Sequence, residues 1–84
     1  MKNRERGDMR KDRTEYDSLL DALVAIAKRL NDYESRYKME SEEFFDRYKK
    51  GESEDSEDFI EWANDYQHYL SIRRDLETKL QHVA

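Results

Sequence analysis

Residues 14–38, TEYDSLLDALVAIAKRLNDYESRYK, carry their apolar side chains on a heptad: Tyr16, Leu23, Leu30 and Tyr37 in one column, and Leu19, Ile26 and Tyr33 in the column three residues on. That spacing sets both columns on one side of an α-helix. Leu20 and Ala27 widen the stripe to the breadth that faces a globular core or a bundle. Thr14 is the expected N-cap, with Asp17 three residues on in the manner of a capping box, and the helix is expected to reach Lys38. Asp32–Arg36 and Glu34–Lys38 are spaced as i,i+4 acid-to-base pairs on the outer side.

Downstream, Ser41 is expected to cap a short helix with Glu42 and Glu43 in its first turn, Phe44, Phe45 and Tyr48 as its apolar contribution and Gly51 as its C′ stop. Asp55 or Ser56 then caps a last helix from Glu57 to His82. Its heptad is Phe59, Tyr66, Arg73 and Leu80 beside Trp62, Tyr69, Leu76 and Val83, widened by Ala63 and Leu70. Arg73 interrupts the stripe and is expected to reach out to water. At 1.5 Å per residue the two long helices are matched at roughly 35–39 Å. Tyr33 and Tyr37 end the first helix, the short helix is aromatic, and Phe59, Trp62 and Tyr66 begin the last. The far ends are aliphatic, with Leu19, Leu20 and Leu23 on one helix and Leu76, Leu80 and Val83 on the other. An all-α, antiparallel hairpin of two long helices with the short helix at its elbow, a small three-helix bundle, puts like beside like, with the long helices crossing near about 20°.

Eighty-four residues make one domain with a thin core. Residues 1–13 show no apolar periodicity and read as a basic flexible arm, leaving 14–84 as the helical domain. Without cysteine there is neither a disulfide nor a thiolate metal site, and the absence of proline suits long helices. The charged fraction, 44%, borders on disorder, but the aromatic content of 12% argues for burial. The longest apolar run, Ala22–Ala27, is far short of the roughly 20 residues of a membrane span. A basic N-terminus with no apolar stretch after it is no secretory signal, so a cytoplasmic protein with no membrane contact is expected.

Chemistry is hard to place on this chain. Asp65 and His68 sit one helix turn apart but off the apolar stripe, and a di-metal bundle site needs two such pairs with further inward carboxylates. Residues 51–58 are acidic, yet a calcium loop opened at Glu52 would need Gly and Glu where Glu57 and Ala63 stand. There is no glycine-rich phosphate loop and no arguable nucleophile–base set. No catalytic residues, metal or cofactor are therefore assigned, and the expectation is a binding protein rather than an enzyme.

The net charge of −5 conceals an asymmetry. Residues 1–13 hold six bases against three acids. Residues 40–65 hold eleven acids against Arg47, Lys49 and Lys50, a net of −8. An acidic body favours a basic partner and repels nucleic acid; any phosphate contact would come from the basic arm, through Arg4, Arg6, Arg10, Lys11 and Arg13, although the arm has no interleaved aromatics and carries three acids of its own. The aromatic cluster is expected to be mainly core. Adjacent pairs such as Phe44–Phe45 and Phe59–Ile60 cannot point one way on a helix, however, so part of the cluster should meet another chain, either a protein partner or a second copy in a homodimer.

One stretch resembles a known family. Tyr33-Glu34, Tyr37-x-Met39-x-Ser41-Glu42-Glu43-Phe44, Lys50-Gly51-Glu52 and Asp55-Ser56-Glu57-Asp58-Phe59-x-Glu61-Trp62 are similar to short prokaryotic antitoxins of the TumA type, which are encoded beside a small toxin. The match covers residues ~30–70, about half of the chain. Where that family often has Gly before the Met and before the Asp-Ser-Glu-Asp run, this chain has Lys38 and Glu54. The resemblance implies a toxin–antitoxin system in which this protein masks the active surface of a basic toxin. Phe44, Phe45, Tyr48, Phe59 and Trp62 would be the hydrophobic contacts, and Glu57, Asp58 and Glu61 the charged ones. The alternative is a self-associating helical module, with nucleic-acid contact only through the arm.

Overall fold

The computed structural model describes the backbone of residues 3–83 and the side chains of residues 17–81. Three helices account for nearly all of it: α1 (Asn3–Tyr37), α2 (Ser41–Lys49) and α3 (Glu57–Val83), with no strand among the described residues. The helix that opens the chain starts at Asn3, eleven residues ahead of the expected cap at Thr14. The residues before Thr14 are mostly Arg, Lys, Glu, Asp and Met, with one Gly and no Pro, so nothing there breaks a helix. The long helices are consequently unequal, 35 residues against 27. The side chains of Tyr16, His82 and Val83 lie outside the described residues.

α1 and α3 run antiparallel. Along one seam Arg36 Nη1 donates to Asp58 at 3.0 Å, Tyr33 to Glu61 at 3.1 Å and Arg29 Nε to Asp65 at 2.9 Å. Each step of three or four residues down α1 is matched by the same step up α3, as two antiparallel helices in register require. Arg36 thus turns to α3 rather than to Asp32 on its own helix, and Glu34 is drawn away from Lys38 in the same manner (below).

The core has two parts. At the elbow Leu30, Tyr33, Phe44, Trp62 and Ala63 are buried, with Tyr37, Met39, Phe45, Tyr48, Phe59, Tyr66 and Tyr69 packed around them. Further along, Ile26, Ile72 and Leu76 are buried against Leu19, Ala22, Leu23 and Tyr69. The heptad read for α1 holds, but the one read for α3 is half right. The Trp62, Tyr69, Leu76 column faces α1 as expected, but beyond the elbow its companion column is Asp65 and Ile72, not Arg73 and Leu80. The reason is α2. At the elbow α3 is covered on two sides, which buries Ala63 and half-buries Phe59 and Tyr66. Once α2 has ended only α1 remains, and the buried stripe turns toward it. Arg73 and Leu80 then face out, as do Leu20 and Ala27 on α1.

Both helix ends at the elbow use the same device. α2 closes with Gly51 at φ +75°, its N–H donating to the Tyr48 carbonyl at 3.1 Å, while the Glu52 N–H donates to Arg47 at 2.9 Å. These are the two bonds of a Schellman motif with glycine at C′. α1 closes with Lys38 at φ +54° and the Met39 N–H donating to the Glu34 carbonyl at 3.3 Å. Here a lysine occupies the left-handed position that glycine fills without steric cost.

Ser41, expected as the cap of α2, is its first helical residue; Glu40 holds the extended cap position and makes no side-chain cap bond. The free N–H of Ser41 is taken instead by the Glu34 carboxylate at 2.9 Å, an anion at a helix N-terminus. At α3 the choice between Asp55 and Ser56 falls to Ser56, whose hydroxyl accepts from the Phe59 N–H at 3.1 Å.

Two outcomes follow for thermal unfolding. Lys38→Gly relieves the left-handed strain and stabilises the fold by about 0.5–1 kcal/mol, several degrees in Tm, whereas Gly51→Ala, which meets open space but keeps the positive φ, costs about 1 kcal/mol. Ser41→Ala leaves the buried indole N–H of Trp62 without its acceptor and lowers stability by about 1–3 kcal/mol, against about 3–5 kcal/mol for Trp62→Ala.

Candidate partner-binding surface

The aromatic and acidic side chains singled out in the sequence are all brought to the elbow, but they divide into scaffold and surface. Trp62 is fully buried and Phe44 is 2% exposed. Their rings stack with centroids 3.9 Å apart and planes within 1°, and Tyr33 and Tyr37 stack on the same indole at 5.5 and 5.6 Å. Trp62 Nε1 donates to Ser41 Oγ at 2.9 Å, so the single polar atom of the indole is satisfied inside the core. Phe44 and Trp62, expected as partner contacts, are therefore core residues with no surface to offer. Phe59 is half-buried with its ring 5.0 Å from Tyr37 and 5.2 Å from Phe44. Tyr48 is half-buried against Phe44. Phe45 lies 5.3 Å from Tyr66, with the Lys49 ammonium 5.0 Å over its ring. Each of the three keeps part of its ring exposed.

The acids provide the outer shell. Glu42, Glu43 and Asp46 on α2, Glu52, Glu54 and Asp55 in the loop, and Glu57 and Glu61 on the first turns of α3 are exposed. Two of the three acids expected to touch a partner also act within the molecule. Glu61 accepts from Tyr33, and Asp58 accepts from the Tyr37 hydroxyl at 2.5 Å as well as from Arg36. Beside this seam lies an open, charged groove of about 310 Å3 lined by Arg29, Asp32, Tyr33, Arg36, Asp58 and Glu61. Asp65, half of the Asp–His pair noted in the sequence, is held by Arg29, while His68 is exposed.

The Tyr37 hydroxyl, and after it Arg36, hold the Asp58 carboxyl below the usual carboxylate range. The same bond to Asp58 pushes the Tyr37 phenol up, and burial followed by the bond to Glu61 does so for Tyr33. These groups join α1 to α3, so their protonation is coupled to the hairpin itself.

Arg4, Arg6, Arg10, Lys11 and Arg13, the possible phosphate contacts, have side chains outside the described residues. Among the described residues no helix is long and apolar enough to cross a membrane. Comparison of the chain with protein families, with curated proteins and with solved structures finds no match.

The pH dependence of stability has two limbs. In acid the folded chain binds fewer protons than the unfolded one at Asp58, so that contribution is complete above the ordinary carboxylate range and is lost as pH falls through the depressed value. In alkali the folded chain keeps its phenolic protons longer, so the Tyr33 and Tyr37 contribution is complete below about pH 10 and is lost as pH rises through their raised values. Circular-dichroism melts are expected to show a plateau between these limits. Asp58→Asn flattens the acid limb, and Tyr37→Phe weakens both.

Proposed function

We propose that this protein is a binding module of the antitoxin kind, which neutralises a small basic toxin by occupying its active surface. The observation that carries this reading is the elbow: a net charge of −8 over residues 40–65, displayed on the outside of a packed aromatic cluster. If the target acts on RNA, its cationic phosphate-binding face is the natural complement of that shell. The elbow would then fill the place of the nucleic-acid backbone. Five of the exposed acids stand on α2 and the first turns of α3 and three in the loop between them, all around a stacked core, and their common sign steers encounter. The half-buried edges of Phe45, Tyr48 and Phe59 supply apolar contact within the charged rim, and Glu57 and Glu61 supply charged contact. The likeness of residues ~30–70 to TumA-type antitoxins supports the same reading.

The test is co-expression with the product of the adjacent gene. Arrest of growth by that product, relieved by this chain, is the expected result, and the complex should weaken as salt rises. The loop variant Glu52→Lys/Glu54→Lys/Asp55→Lys, which changes the patch from −8 to −2 without touching a helix, is expected to keep its helical spectrum and lose the rescue. A harmless neighbour, or rescue undiminished in the triple variant, removes the proposal.

A further inference from the structure

The acids of the elbow are not equivalent. Glu43 pairs with Arg47 and Asp46 with Lys50, each at 3.1 Å on the outside of α2, and Asp58 is held by Arg36. Glu40, at the cap position of α2, and Glu42, in its first turn, form no ion pair among the described residues. Both line an open groove of about 350 Å3 where the head of α2 meets α1 and α3. Glu34 of α1 lines it too, its carboxylate accepting the Ser41 N–H at 2.9 Å. The α3 wall is Tyr66 and Tyr69, with ring centroids 6.0 Å apart and planes 21° apart, followed by Arg73. Three carboxylates thus face one base across an aromatic wall.

Arg73 demonstrates what that wall accepts. Its guanidinium lies 5.7 Å over the Tyr69 ring, and its Nε is 4.0 Å from the Glu77 carboxylate. A planar cation can rest on a ring and still turn N–H groups to an acid beyond the ring's edge, whereas a compact, strongly hydrated ammonium does one or the other. One heptad nearer the elbow, Tyr66 repeats the arrangement with Glu42. Burial, and after it the Glu42 carboxylate, push the Tyr66 phenol up, so the ring stays neutral beside the acid.

We propose that this groove is the docking site for an arginine side chain of the basic partner, its guanidinium against Tyr66 and its N–H groups turned to the Glu42 and Glu40 carboxylates. The charge of the groove selects a cation, and the ring beside the acids selects a guanidinium over an ammonium. The other acids of the shell act at long range, on encounter; Glu40 and Glu42 act in contact, because no base of their own helix competes for them. Arg73 limits the groove from the far end, where its like charge opposes the incoming one. For the nature of the partner this inference rests on the antitoxin reading.

The groove is tested without the toxin, by calorimetric titration of the full chain with nona-arginine and nona-lysine peptides at fixed ionic strength. Nona-arginine is expected to bind more tightly. Glu42→Gln weakens its binding on the order of fivefold and removes most of the preference over lysine, while Glu43→Gln, the same loss of charge one residue away and outside the groove, costs less than about twofold. Arg73→Gln tightens nona-arginine binding more than Arg74→Gln does, although each removes one positive charge. All four positions are exposed, so the helical spectrum is unchanged in each variant. Equal affinity for the two peptides, equal losses from Glu42→Gln and Glu43→Gln, or weaker binding in Arg73→Gln overturns the inference. Growth rescue by the unaltered chain is a separate result, so a failed groove and a failed antitoxin reading are told apart.

Discussion

The indole N–H of Trp62 meets the hydroxyl of Ser41 in a place from which water is excluded, and the rest of the elbow is arranged around that meeting. Trp62 belongs to α3, Ser41 to the start of α2, and the N–H of Ser41 is held in turn by Glu34 near the end of α1. One residue pair and one carboxylate thus tie all three helices together. The bond is strong because the site is dry, and the site is dry because Phe44, Tyr33 and Tyr37 stack on the indole. A tryptophan can be fully buried only where its donor finds an acceptor, so ring packing and hydrogen bond depend on each other.

Glu34 shows how much a short connection demands of individual residues. Its carbonyl accepts the N–H that closes α1 and its carboxylate accepts the N–H that opens α2. The turn between them is made by Lys38 in a left-handed conformation. A lysine tolerates that position only because both flanking helices are held in place by the aromatic core.

Electrostatics act at two ranges. Along the seam, opposite charges and phenol–carboxylate bonds join α1 to α3 and set their register. Over the whole molecule, like charges collect at the elbow, where they raise the cost of folding there and at the same time define a surface that attracts cations. The ring cluster offsets that repulsion, and its location under the acidic shell follows from the same need.

Sequence periodicity located the three helices (though not the start of α1, where no apolar repeat marks residues 3–13), the direction of the hairpin and the aromatic elbow, because heptad spacing and the sorting of rings from aliphatic side chains are one-dimensional signals. It also fixed Gly51 as a stop, since positive φ has a residue preference that can be read directly. It placed Arg73 and Leu80 in the stripe and passed over Ile72, because a fixed heptad assumes the same neighbours along the whole helix, and α2 accompanies α3 only at one end. Similarly, Phe44 and Trp62 read as either core or contact, and only the stack between them decided for core. Ser41 read as a cap by residue type, whereas its actual role as the acceptor for Trp62 depends on a residue 21 positions away. Local chemistry decides what a segment can form. Which side chains are left to face a partner is decided by what three helices cover when they meet.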